Sequence, residues 1–552
     1  HDEDSGIVSP VIFQLDNASL ASQAVGPIES NLEMVCENKT AAHLGREMLA
    51  SNVRPLWGQK VDDLDSLFGA NGPKGSVIHP SGKGLRNNHS YDELIKKAFH
   101  PKYWAGEGTF SFAEDGTLVE TGKGKSKKKN DDSFTQMELN FSMFWGISVM
   151  LYEMDLVSLD SKWDTAVAGC GADPGDSAIM YACVDQGYLT EQEADGAMLF
   201  HAGGFGGQPR IPTPERPLGG GRCDACHLGP LFAGPIVQFI DVDGTVDNSI
   251  ALAPVNAAAG GLNDNGTFGI GNRPAWEDKH VGGVDPWGEP LSYARQIKRW
   301  LQDGKLDEDK PLDFPVPDLD ATFCPAGGGM GMGMGGGMGI VGCVNNELPA
   351  GAAADGIKVT VDSKSKTPGM RNVGLTAPYF SYGGYATLRQ VVEFYARGGN
   401  QRQHPGGGTT CGSGVLGDSP VPIDDTVDAL TNCSIGVTVL DLSFVDDIGD
   451  PGFHDPKPAD VKGQDYGIDA IVAFMLTLTD PKVQCDTAPF DHPSIVLTHG
   501  HEDDGGDILV ELPAVGAAGY ADTLNAHMCL PNEGDLFAEG AQNRVDPNVG
   551  RH

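Results

Sequence analysis

A chain of 552 residues with 76 acidic and 38 basic side chains carries a formal charge of −38 at pH 7. That balance excludes nucleic-acid binding, which needs a basic face, and disfavours anionic lipid surfaces. No stretch approaches the ~20 apolar residues of a membrane span, while an apolar content of 40% suffices for cores in several domains. An acidic surface of this kind suits solubility and can steer a basic protein partner. The sequence opens on His1 with no basic-then-apolar leader, which points to a processed terminus or a fragment.

In chain order, residues 1–60 read as a loop followed by short helical pieces, and residues 61–130 as polar and turn-rich. The basic run Lys123–Lys129 is read as a solvated loop, with a docking site for an acidic partner as the alternative. A long amphipathic core helix is expected from about Phe134 to Val157. At 188–201, Thr190 and Glu193 stand at capping-box spacing, which places a helix start there. A Gly/Pro-rich loop then leads to residues 222–230, RCDACHLGP. Residues 255–350 are the loosest part, and the run 327–339, GGGMGMGMGGGMG, cannot build a core because ordering its glycines is costly. Met330, Met332, Met334 and Met338 invite a cuprous copper site, since thioethers suit that ion; a flexible loop explains the composition without one. Helix-and-turn patterns return at 367–400 and 465–480, so the expected class is mostly α with long loops.

The order Cys223-x-x-Cys226-His227 is that of c-type haem attachment. Two thiols add to the haem vinyl groups, the two residues between them set the span, and the adjacent His reaches the iron as proximal ligand. The alternatives are a redox C-x-x-C, which would want a preceding strand, and half a zinc site, which would want a second Cys/His pair. The sixth iron position is left open: Met would raise the potential, His would make a bis-imidazole carrier, and Tyr would stabilise more oxidised iron.

Of the 11 cysteines, nine remain outside the motif. Cys170/Cys183, Cys324/Cys343, Cys411/Cys433 and Cys485/Cys529 are neighbours along the chain and could pair, leaving Cys36 free or bonded to another chain. Several such loops, and c-type haem itself, suit a periplasmic or extracellular, cell-surface location.

Residues 366–400, KTPGMRNVGLTAPYFSYGGYATLRQVVEFYARGGN, together with the C-x-x-C-H, resemble the electron-transfer domain of bacterial dihaem cytochrome c peroxidases and MauG-like enzymes. Residues 134–164 and 19–34 resemble the long, surface-associated members; the likeness weakens between about 235 and 360. The resemblance implies cytochrome c-like haem domains with Gly-rich insertions. A partial peroxidatic region would span 1–165, an electron-transfer domain 166–485 with an insertion at about 255–350, and a C-terminal extension 486–552. It implies haem c on Cys223, Cys226 and His227, with Tyr395 as axial ligand and Met370 as second choice. It places Arg371 near the haem propionates and Thr376 and Pro378 among the oxygen donors of a calcium ion.

On the same likeness, Gln23, Pro27 and Glu33 match the distal side of a peroxidatic haem. There a carboxylate can move a proton of hydrogen peroxide to the leaving oxygen, and Gln can orient the peroxide. The family carries its first C-x-x-C-H upstream of that pattern, yet no Cys precedes Gln23. The expectation is a second haem-bearing chain, or a cleaved N-terminal fragment, docked against residues 15–45, plus a redox partner protein. The implied activity is reduction of hydrogen peroxide, or its use to oxidise a protein side chain. The alternatives are a monohaem electron carrier and an acidic surface protein with a vestigial haem.

Overall fold

A computed structural model describes residues 19–30, 34–35, 39–50, 53–70, 90–113, 118–122, 132–201, 221, 223–227, 229–233, 239–240, 246–247, 255–258, 261–264, 266–268, 279–284, 290–303, 359, 361, 364–396, 464–502, 506–521 and 529–530. The described residues form mostly helices with short two-stranded ribbons. Among them no helix is long and apolar enough to cross a membrane. The chain divides into two units, one of residues 1–159, 481–530 and 539–552, the other of 160–480 and 531–538.

The first unit opens with α1 (Ser19–Glu29), α2 (Ala41–Met48) and α3 (Tyr91–Ala98), followed by the antiparallel ribbon β1 (Thr109–Phe112) and β2 (Leu118–Gly122). The single helix expected over 134–157 is two, α4 (Gln136–Leu139) and α5 (Phe141–Glu153). The break falls at Asn140, whose backbone leaves helical geometry (φ −88°, ψ 12°) while its amide donates to the Tyr103 carbonyl at 2.7 Å. An apolar periodicity cannot register that tertiary hydrogen bond. Helix α1 lies close against α5, with the Trp145 indole donating to the Ala24 carbonyl at 3.0 Å. Pro27, inside α1, has no N–H to offer the Gln23 carbonyl one turn back.

The second unit holds α6 (Lys162–Cys170), α7 (Ser177–Asp185), α8 (Glu191–His201), α9 (Tyr293–Asp303), α10 (Leu388–Ala396) and α11 (Gln464–Leu476). Three ribbons lie between α8 and α10 in sequence: β3 (Phe239–Ile240) with β4 (Val246–Asp247), β5 (Val255–Ala258) with β6 (Gly261–Asp264), and β7 (Thr267–Phe268) with β8 (Ser365–Lys366). The capping box expected at the start of α8 is present: the Thr190 N–H donates to the Glu193 carboxylate at 2.6 Å, and the Glu193 N–H to the Thr190 hydroxyl at 3.2 Å. A second box, Ser161 with Asp164, starts α6. The chain then rejoins the first unit through α12 (Pro481–Gln484) and the ribbon β9 (Ile495–His501) with β10 (Asp507–Leu512).

Disulfides join Cys170 to Cys183 and Cys485 to Cys529, as their spacing anticipated. Cys36, Cys324, Cys343, Cys411 and Cys433, the basic run 123–129 and the Met/Gly run 327–339 lie outside the described residues.

The core of the second unit gathers Trp163, Met198, Phe200, Phe232, Phe474 and Leu478, all buried. Its organising feature is the crossing of α8 and α11. A Cβ on Gly196 would run into the Ala470 backbone carbonyl and the Phe474 side chain, so only glycine allows the helices to approach this closely. Gly196→Ala improves helix propensity by about 1 kcal/mol. Overpacking against a backbone atom costs roughly 1–3 kcal/mol or more, so the net effect should be destabilising. A denaturant titration of the protein measures it, and an unchanged or higher midpoint would show that the crossing is looser than described.

Candidate functional site around Cys223, Cys226 and His227

Residues 223–227 wind into a single turn. The Cys226 and His227 N–H groups both donate to the Cys223 carbonyl, at 3.1 and 2.8 Å. This turn is tied to the end of α8 because the Gly221 N–H donates to the Leu199 carbonyl at 2.7 Å. Gly221 is needed there: a Cβ would stand 3.0 Å from the Cys223 Sγ and 3.1 Å from that carbonyl.

Both motif thiols are free and half-buried. Burial, reinforced by the Asp224 carboxylate, pushes the Cys226 thiol up to about 12 and the Cys223 thiol higher still, with Cys226 adding to the effect there. A redox C-x-x-C pair needs the opposite, a stabilised thiolate. Among the described residues no cluster of three His, Cys, Asp or Glu side chains forms around the motif. Two unbridged thiols one turn apart suit addition to a pair of vinyl groups.

His227 directs its Nδ1 at the Phe232 carbonyl, 2.8 Å away. A carbonyl only accepts, so Nδ1 carries the proton and Nε2 keeps its lone pair. Burial lowers the ring's pKa, and the Phe232 and Pro368 carbonyls oppose this only in part, so the imidazole is neutral. A neutral ring with one nitrogen anchored on a backbone carbonyl is the usual state of a metal-ligating His. Around it stands an aromatic cage: Phe200 lies 6.4 Å from the His227 ring, and Phe232 and Phe474 lie 6.0 and 5.2 Å from Phe200. His201, at the end of α8, belongs to the same cage, 6.2 Å from Phe232 and 5.8 Å from Phe474, with Nδ1 on the Ala197 carbonyl.

Tyr395 comes from α10. Its phenol is raised well above the ordinary tyrosine range, first by burial and then by the Cys226 and Cys223 thiols. Phe380, held at φ 63° in the loop before α10, packs its ring on Phe394 and Tyr395 at 5.0 and 6.2 Å. An ion pair from Arg389 to Asp469 links α10 to α11. Met370 is buried in the same core.

Arg371 is tied to Asp164 and to the segment following the motif. Its terminal nitrogens grip Asp164 at 2.5 and 2.9 Å, and its Nε donates to the Pro230 carbonyl at 2.8 Å. The pair therefore ties the segment following His227 to the start of α6. Thr376 and Pro378 are exposed, and the Thr376 hydroxyl donates to the Val373 carbonyl at 3.1 Å. Of the proposed distal set, Gln23 is exposed on α1 and Pro27 half-buried in it; Glu33 lies outside the described residues. The sequence reading missed Asp164, His201, Phe200 and Phe232. Only Asp164 carried a local signal, the Ser161-x-x-Asp164 spacing of a capping box.

No family model matches the chain, and no curated protein matches it. Among solved structures the chain is similar to a MauG-like protein associated with microbial copper homeostasis. The identity is 15% and the TM-score 0.24, over 88% of this chain and 95% of that one. A likeness of that TM-score carries no weight for fold or chemistry, and the functional reading stands on the site.

The Arg371–Asp164 pair has a pH signature. Burial alone would raise the Asp164 carboxyl, but the Arg371 guanidinium and the Ser161 hydroxyl reverse this and hold it below its usual range. A carboxyl lowered on folding stabilises the protein above its unfolded pKa of about 3.9, and that contribution is lost as pH falls through the folded value. Asp164→Asn should therefore cost stability at about pH 7 and progressively less below about pH 4. Denaturant midpoints on both sides of that range test this; equal losses would remove the charge from the account.

Proposed function

We propose that this chain is a c-type haem oxidoreductase of the dihaem peroxidase and MauG-like kind, reducing hydrogen peroxide or using it to oxidise a protein side chain. The observation that carries the reading is the 223–227 turn: two unbridged, un-ionised thiols beside a neutral histidine anchored through Nδ1.

The donor set fits haem c. Cys223 and Cys226 would hold it through thioether bonds, and His227 would ligate its iron through Nε2. Bound there, haem supplies one-electron transfer and, where one axial face is open, activation of peroxide. The chain's own residues do the rest. The Phe232 carbonyl keeps the proton on His227 Nδ1. Phe200 packs 6.4 Å from that ring, with Phe232 and Phe474 packed against Phe200. Arg371 and Asp164 hold the Pro230 carbonyl, and so the segment behind His227. Tyr395 offers a phenol oxygen beside the thiols. In this reading Glu33 and Gln23 serve a second haem, distinct from the one held by Cys223, Cys226 and His227. A second haem-bearing chain, or a fragment of the same precursor, would dock against residues 15–45 in a periplasmic or surface location.

The exposure of Gln23 on α1 favours one other reading, a monohaem electron carrier without peroxidase chemistry. Peroxide turnover by protein from its native source, with native mass spectrometry to find a companion chain, separates the two. Turnover with a haem-bearing companion supports the first reading; a single chain with one unreactive haem supports the second.

Replacing Cys223 and Cys226 by Ala should abolish covalent haem staining on a denaturing gel, and staining at full strength would place attachment elsewhere. Tyr395→Phe should alter the low-temperature spin-resonance spectrum of the ferric protein. An unchanged spectrum would transfer the axial role to Met370 or solvent.

A further inference from the structure

Asp195 lies in the middle of α8 and is 0% exposed. Its carboxylate receives two phenols from two other helices: the Tyr181 hydroxyl of α7 donates to Oδ1 at 2.7 Å, and the Tyr466 hydroxyl of α11 donates to Oδ2 at 2.8 Å. Burying a carboxylate is costly, and two neutral phenols compensate it only through hydrogen bonds. Both phenols are half-buried at the edge of the core. The cluster thus runs from the interior of the second unit toward its surface.

We propose that Tyr181 and Tyr466, sharing Asp195 as proton acceptor, form a redox-active pair that feeds electrons to the haem centre of the same unit. The proposal rests on the haem reading above. In the step, one phenol loses its O–H proton to the Asp195 carboxylate and its electron to haem oxidised by hydrogen peroxide. The products are a neutral phenoxyl radical and a neutral carboxylic acid. An external electron donor, a redox protein or an oxidisable substrate, later returns the electron, and the proton goes back to the phenolate oxygen. The electrostatics favour this direction. Losing an electron alone would leave a radical cation, a far stronger acid than the phenol, and passing its proton to the hydrogen-bonded Asp195 carboxylate replaces two buried charges by two neutral groups.

Position supports it as well. Asp195 precedes Phe200 by five residues on α8, about 7.5 Å along the axis, and Tyr466 precedes Phe474 by eight on α11, about 12 Å. Phe200 and Phe474 stand 5.2 Å apart, and Phe200 is 6.4 Å from the His227 ring. The pair therefore sits within two or three helical turns of the aromatic cage around the proximal histidine.

The test uses the holoprotein, freeze-quenched after hydrogen peroxide and, separately, after photogenerated tris(bipyridine)ruthenium(III), a one-electron oxidant that needs no peroxide chemistry. Spin resonance reads the radical, and ring-deuterated tyrosine shows whether it is tyrosyl without touching the fold. Tyr181→Phe and Tyr466→Phe each leave Asp195 one phenol. At least one should lower the radical yield several-fold, the double variant should lower it further, and formation should slow in deuterated water. A radical with ruthenium(III) but none with peroxide would reject the peroxide reading and keep the pair. No tyrosyl radical under either oxidant, or a yield unchanged in all three variants, would overturn the proposal and leave a purely structural knot.

Discussion

The crossing of α8 and α11 at Gly196 is the constraint on which the second unit depends. Because no Cβ stands between Gly196 and the Ala470 carbonyl, Phe200 and Phe474 can meet one to two turns further along the same pair of helices. The end of α8 then presents the Leu199 carbonyl to Gly221, and a second missing Cβ lets Cys223 sit against that contact. The 223–227 turn is therefore aimed by two glycines far apart in sequence, and the aromatic cage closes over it. Interiors packed at crystal-like density transmit such constraints, which is why one methyl group at a crossing matters to a site two turns away.

Several polar groups inside this unit have defined structural roles. Asp164 and Arg371 form a two-pronged ion pair whose remaining donor holds the Pro230 carbonyl, so one charge pair stabilises both a helix start and the segment behind His227. Asp195 accepts two phenols and joins α7, α8 and α11. His227 and His201 are neutral rings anchored through Nδ1 on backbone carbonyls. The described core of this unit is largely apolar.

What could be read from the sequence was local. The C-x-x-C-H spacing, the Thr190/Glu193 box and the pairings Cys170–Cys183 and Cys485–Cys529 rest on residues close along the chain, and the structure forms all of them. Tyr395 entered only through a resemblance, and its surroundings arise from the packing of α10, which Arg389 ties to Asp469 of α11 and on which the Phe380 ring rests. The helix misread across Asn140 shows the limit of periodicity: the apolar pattern runs through, but a hydrogen bond to Tyr103, 37 residues away, bends the backbone out of it.

The sequence by itself determined that two thiols and a histidine lie within five consecutive residues, which the hydrogen bonds to the Cys223 carbonyl wind into one turn. Tertiary structure decided everything that tunes them. Arg371 finds Asp164 across 207 residues, Tyr466 finds Asp195 across 271, and Gly196 meets Ala470 from the opposite end of the unit. Such partners carry no mark in sequence, since a phenol, a guanidinium or a glycine looks the same whether it faces water or a buried carboxylate. Only the close approach of helices, set by shape and by the cost of leaving a buried polar group unpaired, selects among them.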